Sequence, residues 1–410
     1  MVLHMHDPTV WRMCIDTGGT FTDCLASDLQ NRRHRTKVLS SGVIRGEIVE
    51  LIGNNRARLR FPVDLPDEFT VGALVYNAAN SQHATVIRGF DSATGIIAVD
   101  SAAPLQPGLC EIDCGVEAPV LAAHLVTRTP LNGTLPSMQL RLATTRGTNA
   151  LLERSGPPTA LFITAGFADL LHIGTQQRPE LFALNIVKPY PLHNAVIEVD
   201  ELVDSLGRVG RGPDIDRLRD EARRLVKRGV RSAAIAFKNA YLNGEHEVEV
   251  EAALREVGFT HVTRSTAVAP LIRLLPRAET ALVDAYLAPI ILGYIERIGR
   301  RISTSSTIVM TSAGGLSTAS TYRPCESLLS GPAGGVAGAA AVARQVGEGR
   351  IISFDMGGTS TDVARWAGDF EYTFEHHVGS AQLLAPALAI ESVAAGGGSV
   401  CWFDGHRLRV

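Results

Sequence analysis

Ile15–Asp23 reads I-D-T-G-G-T-F-T-D, and Phe354–Asp362 reads F-D-M-G-G-T-S-T-D. In each, an apolar run ends on an Asp and two glycines turn the chain. Hydroxyl residues and a second Asp then lead into another strand-like run. Counted from the first Asp, the two octets share Asp, Gly, Gly, Thr, Thr and Asp at the same places. Paired glycines permit a tight turn and let backbone N–H groups approach an anion with no Cβ in the way. Thr hydroxyls add donors to phosphate oxygens. An Asp at a strand end holds Mg2+, usually through water, or orients a nucleophile. One such hairpin is equally well a plain Asp-x-Gly-Gly turn. Two with the same acidic and hydroxyl decoration point to a pair of phosphate loops, which across a cleft would clamp the β- and γ-phosphates of a nucleotide.

Outward from the first loop, Trp11–Ile15, Phe21–Ala26 and His34–Leu39 form a β-meander opening. Alternating β-like stretches follow at Ala57–Val63, Ala84–Gly89 and Gly95–Asp100, broken by Pro, Asn, Asp and Gly. From Leu140 onward strands and helices alternate. Strands are expected at Thr159–Thr164, Ser232–Phe237, Thr307–Thr311 and Arg350–Asp355. Helices are expected at Ile215–Arg228, His246–Val257, Arg277–Ile302 and Gly335–Gln345. The alternation predicts an α/β architecture. The expected organisation is a first lobe from residues 1–40 and 138–230, a β-rich insertion at 41–137, and a second α/β region at 231–410.

The 410 residues are 45% hydrophobic and 20% charged, enough for two or three domains with real cores. A formal net charge of −3 without a basic stripe argues against nucleic acid as a partner. No apolar run approaches the roughly 20 residues a membrane helix needs, and Met1–Pro8 lacks the pattern of a signal peptide. Six scattered cysteines fit a reducing cytoplasm rather than a disulfide scaffold. No G-x-x-x-x-G-K-[ST] occurs, and Ala333–Gly338 departs from the dinucleotide fingerprint at its first glycine.

Further stretches carry a family likeness. They are T-T-R-G-T-N-A-L-L-E-R at Thr144–Arg154, N-G-E-H-E at Asn243–Glu247, S-A-G-G-L at Ser312–Leu316 and L-S-G-P-A-G-G-V at Leu329–Val336. With the two loops and G-G-G-S at Gly396–Ser399, the chain resembles the hydantoinase A/5-oxoprolinase family over about Trp11–Ser40 and from Leu140 to the end. The resemblance implies ATPase lobes of the actin/hexokinase/Hsp70-like, ribonuclease H-like, fold. It implies ATP-dependent opening of a cyclic amide such as 5-oxoproline or a hydantoin, and a hydantoinase B-type component on this or another chain. Related carboxylases use the same machinery on ketones. The family continues well past its second loop, so the chain is expected to be a piece of a longer protein with an unfinished nucleotide pocket. An oligomer is expected. Rival readings are a small-molecule kinase of the same fold and a nucleotide-gated switch without a small substrate.

The expected phosphate cradle is Thr17, Gly18, Gly19, Thr20 and Thr22 with Gly357, Gly358, Thr359 and Ser360. Asp16 and Asp355 are the expected catalytic and Mg2+-holding acids. Asp23 and Asp362 rank second to these in the site or only cap their own turns. Thr145, Gly147, Thr148 and Asn149 open a helix and bind the substrate or merely cap it. Arg178 is either a partner for a substrate carboxylate or a surface arginine. His246 and Glu247 are read as a helix start, and Gly331–Gly338 as a small-residue helix connecting the lobes.

Overall fold

The computed structural model describes residues 10–102, 104–178, 181–182, 184–302, 306–358 and 360–410. The chain packs as two compact units, Met1–Thr144 with Tyr294–Val309, and Thr145–Gly293 with Met310–Val410.

In the first unit, β1 (Trp11–Thr17), β2 (Phe21–Ser27) and β3 (Arg33–Leu39) form an antiparallel meander. β10 (Met138–Thr144) runs parallel to β1, and β17 (Ser306–Met310) runs parallel to β10, so the order is β17-β10-β1-β2-β3. Side chains alternate across a strand with period two. Met13, Ile15 and Thr17 therefore turn inward on β1, and Thr22, Cys24 and Ala26 do so on β2. The short helix α1 (Ala118–Thr127) packs on the meander through Val120, Leu121 and Ala122, all fully buried.

Between the meander and α1 the chain closes a six-stranded antiparallel barrel. Its strands are β4 (Val43–Ile52), β5 (Arg56–Arg60), β6 (Leu74–Asn77), β7 (Asn80–Asp91), β8 (Ile96–Val99) and β9 (Gly108–Asp113). They pair in the order β4-β5-β8-β7-β6-β9, and closure leaves no sheet edge exposed. Ile48, Ala57, Val75, Ile87, Ile97 and Ile112 fill the interior, so the barrel is a packed core rather than a container.

The second unit opens with α2 (Arg146–Leu152) and is built on a parallel sheet. The sheet contains β11 (Thr159–Thr164), β12 (Ala195–Val199), β15 (Ser232–Ala236) and β16 (His261–Arg264), in the order β12-β11-β15-β16. Between β11 and β12 lies the one-turn helix α3 (Leu170–Ile173), and between β12 and β15 the hairpin β13 (Leu202–Val203) and β14 (Val209–Arg211). One face is covered by α4 (Ile215–Lys227) and α5 (Glu245–Glu256), where Leu218, Leu225, Val250 and Leu254 meet Phe162 and Ile235. The other face packs on α7 (Leu274–Arg301) through Ala278, Ala281, Leu282 and Ala285, and α6 (Ser265–Val268) precedes that helix. After β18 (Leu316–Thr318), the helix α8 (Ser330–Val346) lays Ala333, Val336, Ala340 and Ala343 on an antiparallel sheet. That sheet is β19 (Ile351–Met356), β20 (Thr361–Trp366) and β25 (Ile390–Val393). Two small hairpin pairs lie between β20 and β25 in the chain: β21 (Tyr372–Thr373) with β24 (Ala387–Leu388), and β22 (His376–Val378) with β23 (Ala381–Leu383).

Two expectations need correction. Residues 145–230 were expected with the first loop, but β11 joins β12 and β15 in a sheet of its own, so this stretch packs with the second unit. The expectation that no apolar run reaches membrane length fails for α7. By length and composition α7 would span a bilayer, but its apolar window is 72% buried within the protein, as in a core helix.

Candidate functional site

Each repeated loop is the tip of a two-stranded hairpin, and the two tips close in the same way. The N–H of Gly18 donates to the carbonyl of Phe21 at 3.0 Å, and that of Gly357 to the carbonyl of Ser360 at 2.9 Å. The tip carbonyls are tied down from behind. In the first hairpin, Ser40 donates its hydroxyl to Gly18 O and its N–H to Thr20 O, at 2.7 and 2.9 Å. In the second, the N–H groups of Gly397 and Gly398 donate to Gly357 O and Gly358 O at 2.9 and 2.8 Å. A Cβ on Gly398 would stand 3.1 Å from that last oxygen, which accounts for glycine in the G-G-G-S stretch. With the carbonyls held back, the exposed N–H groups of Gly19, Thr20 and Gly358 donate to no group among the described residues. Such outward amides are the elements of an anion cradle. Ser360 is exposed at the second tip, and Thr359 lies outside the described residues.

The acids follow from register. Asp16 pairs directly with Asp23 across the first hairpin, and Asp355 with Asp362 across the second. Carboxylates so placed repel each other unless a cation intervenes. Lys37 Nζ reaches Asp23 at 2.7 Å, with Arg35 at 3.8 Å, and the Ser392 hydroxyl donates to Asp362. Asp23 and Asp362 are held by these partners, and Asp16 and Asp355 lie exposed at the tips. In the second unit Asp355 lies over α8, where a Cβ on Gly335 would stand 3.7 Å from Oδ2. No group of three or more metal-ligating side chains occurs among the described residues. The acids therefore suit a hard cation that takes one or two carboxylates and completes its shell with water and phosphate, as Mg2+ does. They do not suit an all-protein cage.

Thr17 and Thr22 were expected in the cradle and are not there. Both are buried on the opposite face of their strands from Asp16 and Asp23. The Thr17 hydroxyl bonds Tyr294 OH at 2.9 Å, and that of Thr22 bonds Ser40 Oγ at 3.0 Å. The matching Thr361 is likewise buried and donates to Ala395 O at 2.6 Å. The second shared threonine of the repeat, Thr22 and Thr361, anchors its hairpin rather than a ligand.

The expected substrate residues separate. Gly147 and Thr148 pack α2 on the turn at Pro324–Leu328. Thr148 donates to Leu328 O, and a Cβ on Gly147 would stand 2.1 Å from Ser327 Oγ. Thr145 is the N-cap of this seven-residue helix, and the Asn149 N–H closes its first turn on Thr145 O at 2.9 Å. Arg178 instead lines a separate cavity of about 740 Å³ within the second unit, together with Arg154. Arg154 closes the T-T-R-G-T-N-A-L-L-E-R stretch, but its sequence gives no role until the cavity brings it beside Arg178. Nor are His246 and Glu247 a simple helix start. Both are buried. His246 Nδ1 lies 2.8 Å from Glu201, and Glu247 takes the Phe237 and Thr266 N–H groups.

Glu279 of α7 also lines the cavity. Burial pushes its carboxyl up to about 7, against a Gln382 N–H that favours the charged form. For an acid whose folded value is raised, the native state keeps a proton that the unfolded chain has lost between about pH 4.5 and 7. Stability therefore falls as pH rises through that window. Glu279→Gln is expected to exceed the parent by about 2 kcal/mol at pH 8, after discounting for partial exposure, and to match it below pH 4.5. Urea unfolding at the two pH values checks this, and a gap independent of pH would contradict it.

Two models of one family match the chain, Hydantoinase/oxoprolinase N-terminal region over residues 127–258 and Hydantoinase/oxoprolinase over residues 277–410. 5-oxoprolinase 1 of Arabidopsis thaliana is 37% identical over 318 residues, covering 71% of this chain and 25% of that protein. Among solved structures, nucleotide-free acetone carboxylase superposes with a TM-score of 0.64 at 22% identity, over 98% of this chain and 50% of that one. The ATP-dependent caprolactamase of Pseudomonas jessenii gives 0.66 at 21% identity, over 96% and 49%. The chain thus spans about a quarter of that 5-oxoprolinase and half of each solved chain.

Proposed function

The chain belongs to the hydantoinase/oxoprolinase family, and from that premise we propose that it supplies the phosphorylating machinery of an ATP-dependent enzyme that opens a cyclic amide. The observation that carries this reading is the twinned hairpin. Two tips with the same closing bond, outward amides and a directly opposed pair of acids stand in one chain. The names of the relatives support ATP use and amide substrates, since one is a 5-oxoprolinase and another an ATP-dependent caprolactamase. The proposed fold of the ATPase part is the actin/hexokinase/Hsp70-like one, in which hairpins of this kind hold phosphates.

A lactam carbonyl is a poor electrophile. In the proposed reaction its oxygen attacks the γ-phosphorus of ATP, ADP leaves, and an imidate phosphate forms. Water then adds to the activated carbon, the ring C–N bond breaks with a proton passing to nitrogen, and a second water cleaves the resulting acyl phosphate to the carboxylate and inorganic phosphate. Phosphoryl transfer asks the protein mainly for positioning and charge stabilisation. The amides of Gly19, Thr20 and Gly358 would hold phosphate oxygens, and Asp16 and Asp355 would hold Mg2+ through water. When bound, the ion neutralises charge on the β- and γ-phosphates. The ring is of the 5-oxoproline or hydantoin type, and a hydantoinase B-type component completes the hydrolysis. Six free thiols accord with work in a reducing cytoplasm.

Product analysis tests the reading. Assemblies containing this chain should release inorganic phosphate in step with ring opening, in about equal amounts. A stable phosphoester product would assign a kinase instead. ATP hydrolysis indifferent to every cyclic amide would assign a switch.

A further inference from the structure

The cavity of the second unit carries a charge pattern that the phosphate hairpins do not explain. Four cations line it: Arg154, Arg178, Lys188 and Arg273. Its carboxylates are Glu279 and Glu375. Arg273 pairs with Glu375, which also takes the Gln382 side-chain amide. The other three cations are held by neutral carbonyls. Arg154 donates to Tyr190 O at 2.5 Å, Lys188 to Ile173 O at 2.6 Å, and Arg178 to Leu181 O at 3.4 Å. Among the described residues no carboxylate pairs with any of them, and Glu279 pairs with no cation. Carbonyl partners fix where these side chains point without cancelling their charge.

The backbone shows the same emphasis. Arg154 at φ 53° and Gln176 at φ 62° are left-handed, which costs a side-chain-bearing residue energy, and both line this cavity. The remaining wall includes Leu275, Leu282 and Leu192. A volume of about 740 Å³ suits a small molecule rather than a polypeptide. Guanidinium forks match carboxylate geometry, and the apolar wall favours a carbon skeleton over bare inorganic phosphate.

We propose that this cavity binds a small organic carboxylate, its anionic end held by Arg154, Arg178 and Lys188 and its carbon skeleton against the leucine wall. Only the choice of ring in the probes rests on the proposed ring opening; the site itself does not. A cyclic substrate and its opened product carry the same group, so both are tried.

Isothermal titration of the 410-residue chain with 5-oxoproline, L-glutamate and the neutral lactam 2-pyrrolidone, without nucleotide, tests this. At least one carboxylate should bind about tenfold more tightly than 2-pyrrolidone, and added salt should weaken it. Tighter 5-oxoproline would mark a substrate pocket, and tighter glutamate a product pocket. Arg154→Ala and Arg178→Ala should each cost about tenfold, and Arg178→Lys should recover only part of it. Both arginines are exposed, so the variants should keep the parent's thermal transition. Equal affinity for 2-pyrrolidone, no binding of either acid at millimolar concentration, or an unaltered Arg154→Ala/Arg178→Ala double variant would each overturn the site. None of these results touches ATP-dependent ring opening, which fails only in the phosphate-release assay.

Discussion

Exchanging Asp16 and Asp355 together for Asn is expected to lower ATP turnover at least about 1,000-fold, the scale reached when charge stabilisation is removed from a reacting phosphate or carbonyl. The substitution keeps the size of each side chain and removes only its charge. Both positions are exposed at strand ends, outside every apolar cluster, so the thermal midpoint should stay near that of the parent. Turnover is to be measured in an ATP-hydrolysing assembly that contains this chain, at saturating Mg2+. Asp23→Asn is the internal comparison. Asp23 lies directly opposite Asp16 but is already taken by Lys37, so its loss should cost far less. Turnover within twofold of the parent in the double variant would remove the two acids from the reaction. An equal loss in Asp23→Asn would mean that the hairpin needs its charge balance rather than Asp16 itself.

How much of this was legible in the sequence depends on the range of the interaction. The hairpins were legible because the turn, its glycines and both acids lie within nine residues. The misplacement of Thr17 and Thr22 was avoidable in principle. Met13 and Ile15 mark the inward face of β1, so with period two Thr17 must follow them and Asp16 must oppose them. Three barrel strands were legible from alternation. β4, β6 and β9 were not; the outward positions of β4 and β9 carry Arg45, Glu47 and Glu111, and a strand with a charged face reads as a loop until its partner is known. The cavity had no local signal. Its cations come from the segments that follow α2 and α3, the approach to β12 and the residue just before α7, and only the tertiary fold brings these together. Arg178 stood out as a candidate partner for a carboxylate, Arg154 closed a family-like stretch without a role of its own, and Lys188 had no mark.

The buried pair behind N-G-E-H-E had no such mark either, and it supports the largest stability prediction. Glu247 and Arg277 are both fully buried, 3.5 Å apart. Glu247 accepts from the N–H groups of Phe237 and Thr266 at 3.1 and 3.0 Å, and from the hydroxyls of Ser265 and Thr266 at 2.5 and 2.7 Å. Arg277 donates to Phe237 O at 2.7 Å and to the Ser265 hydroxyl. Burial pulls its guanidinium below its ordinary value, and Glu247 opposes that pull. Arg277→Met leaves a carboxylate in the core without its cation and is expected to cost about 3–5 kcal/mol. Adding Glu247→Gln removes the stranded charge, so the double variant should be more stable than the sum of the single losses by about 1–3 kcal/mol. Urea unfolding with an unchanged slope would measure both, and a loss under 1 kcal/mol in Arg277→Met would show that the pair contributes little. The network joins the end of β15 to the starts of α5, α6 and α7, and so fixes the rotation of α7 about its own axis. Arg273 lies one turn before Arg277 and Glu279 two residues after it, and both line the cavity. Carboxylate binding should therefore weaken in Arg277→Met even under conditions where the variant is still folded, and recover in part in the double variant.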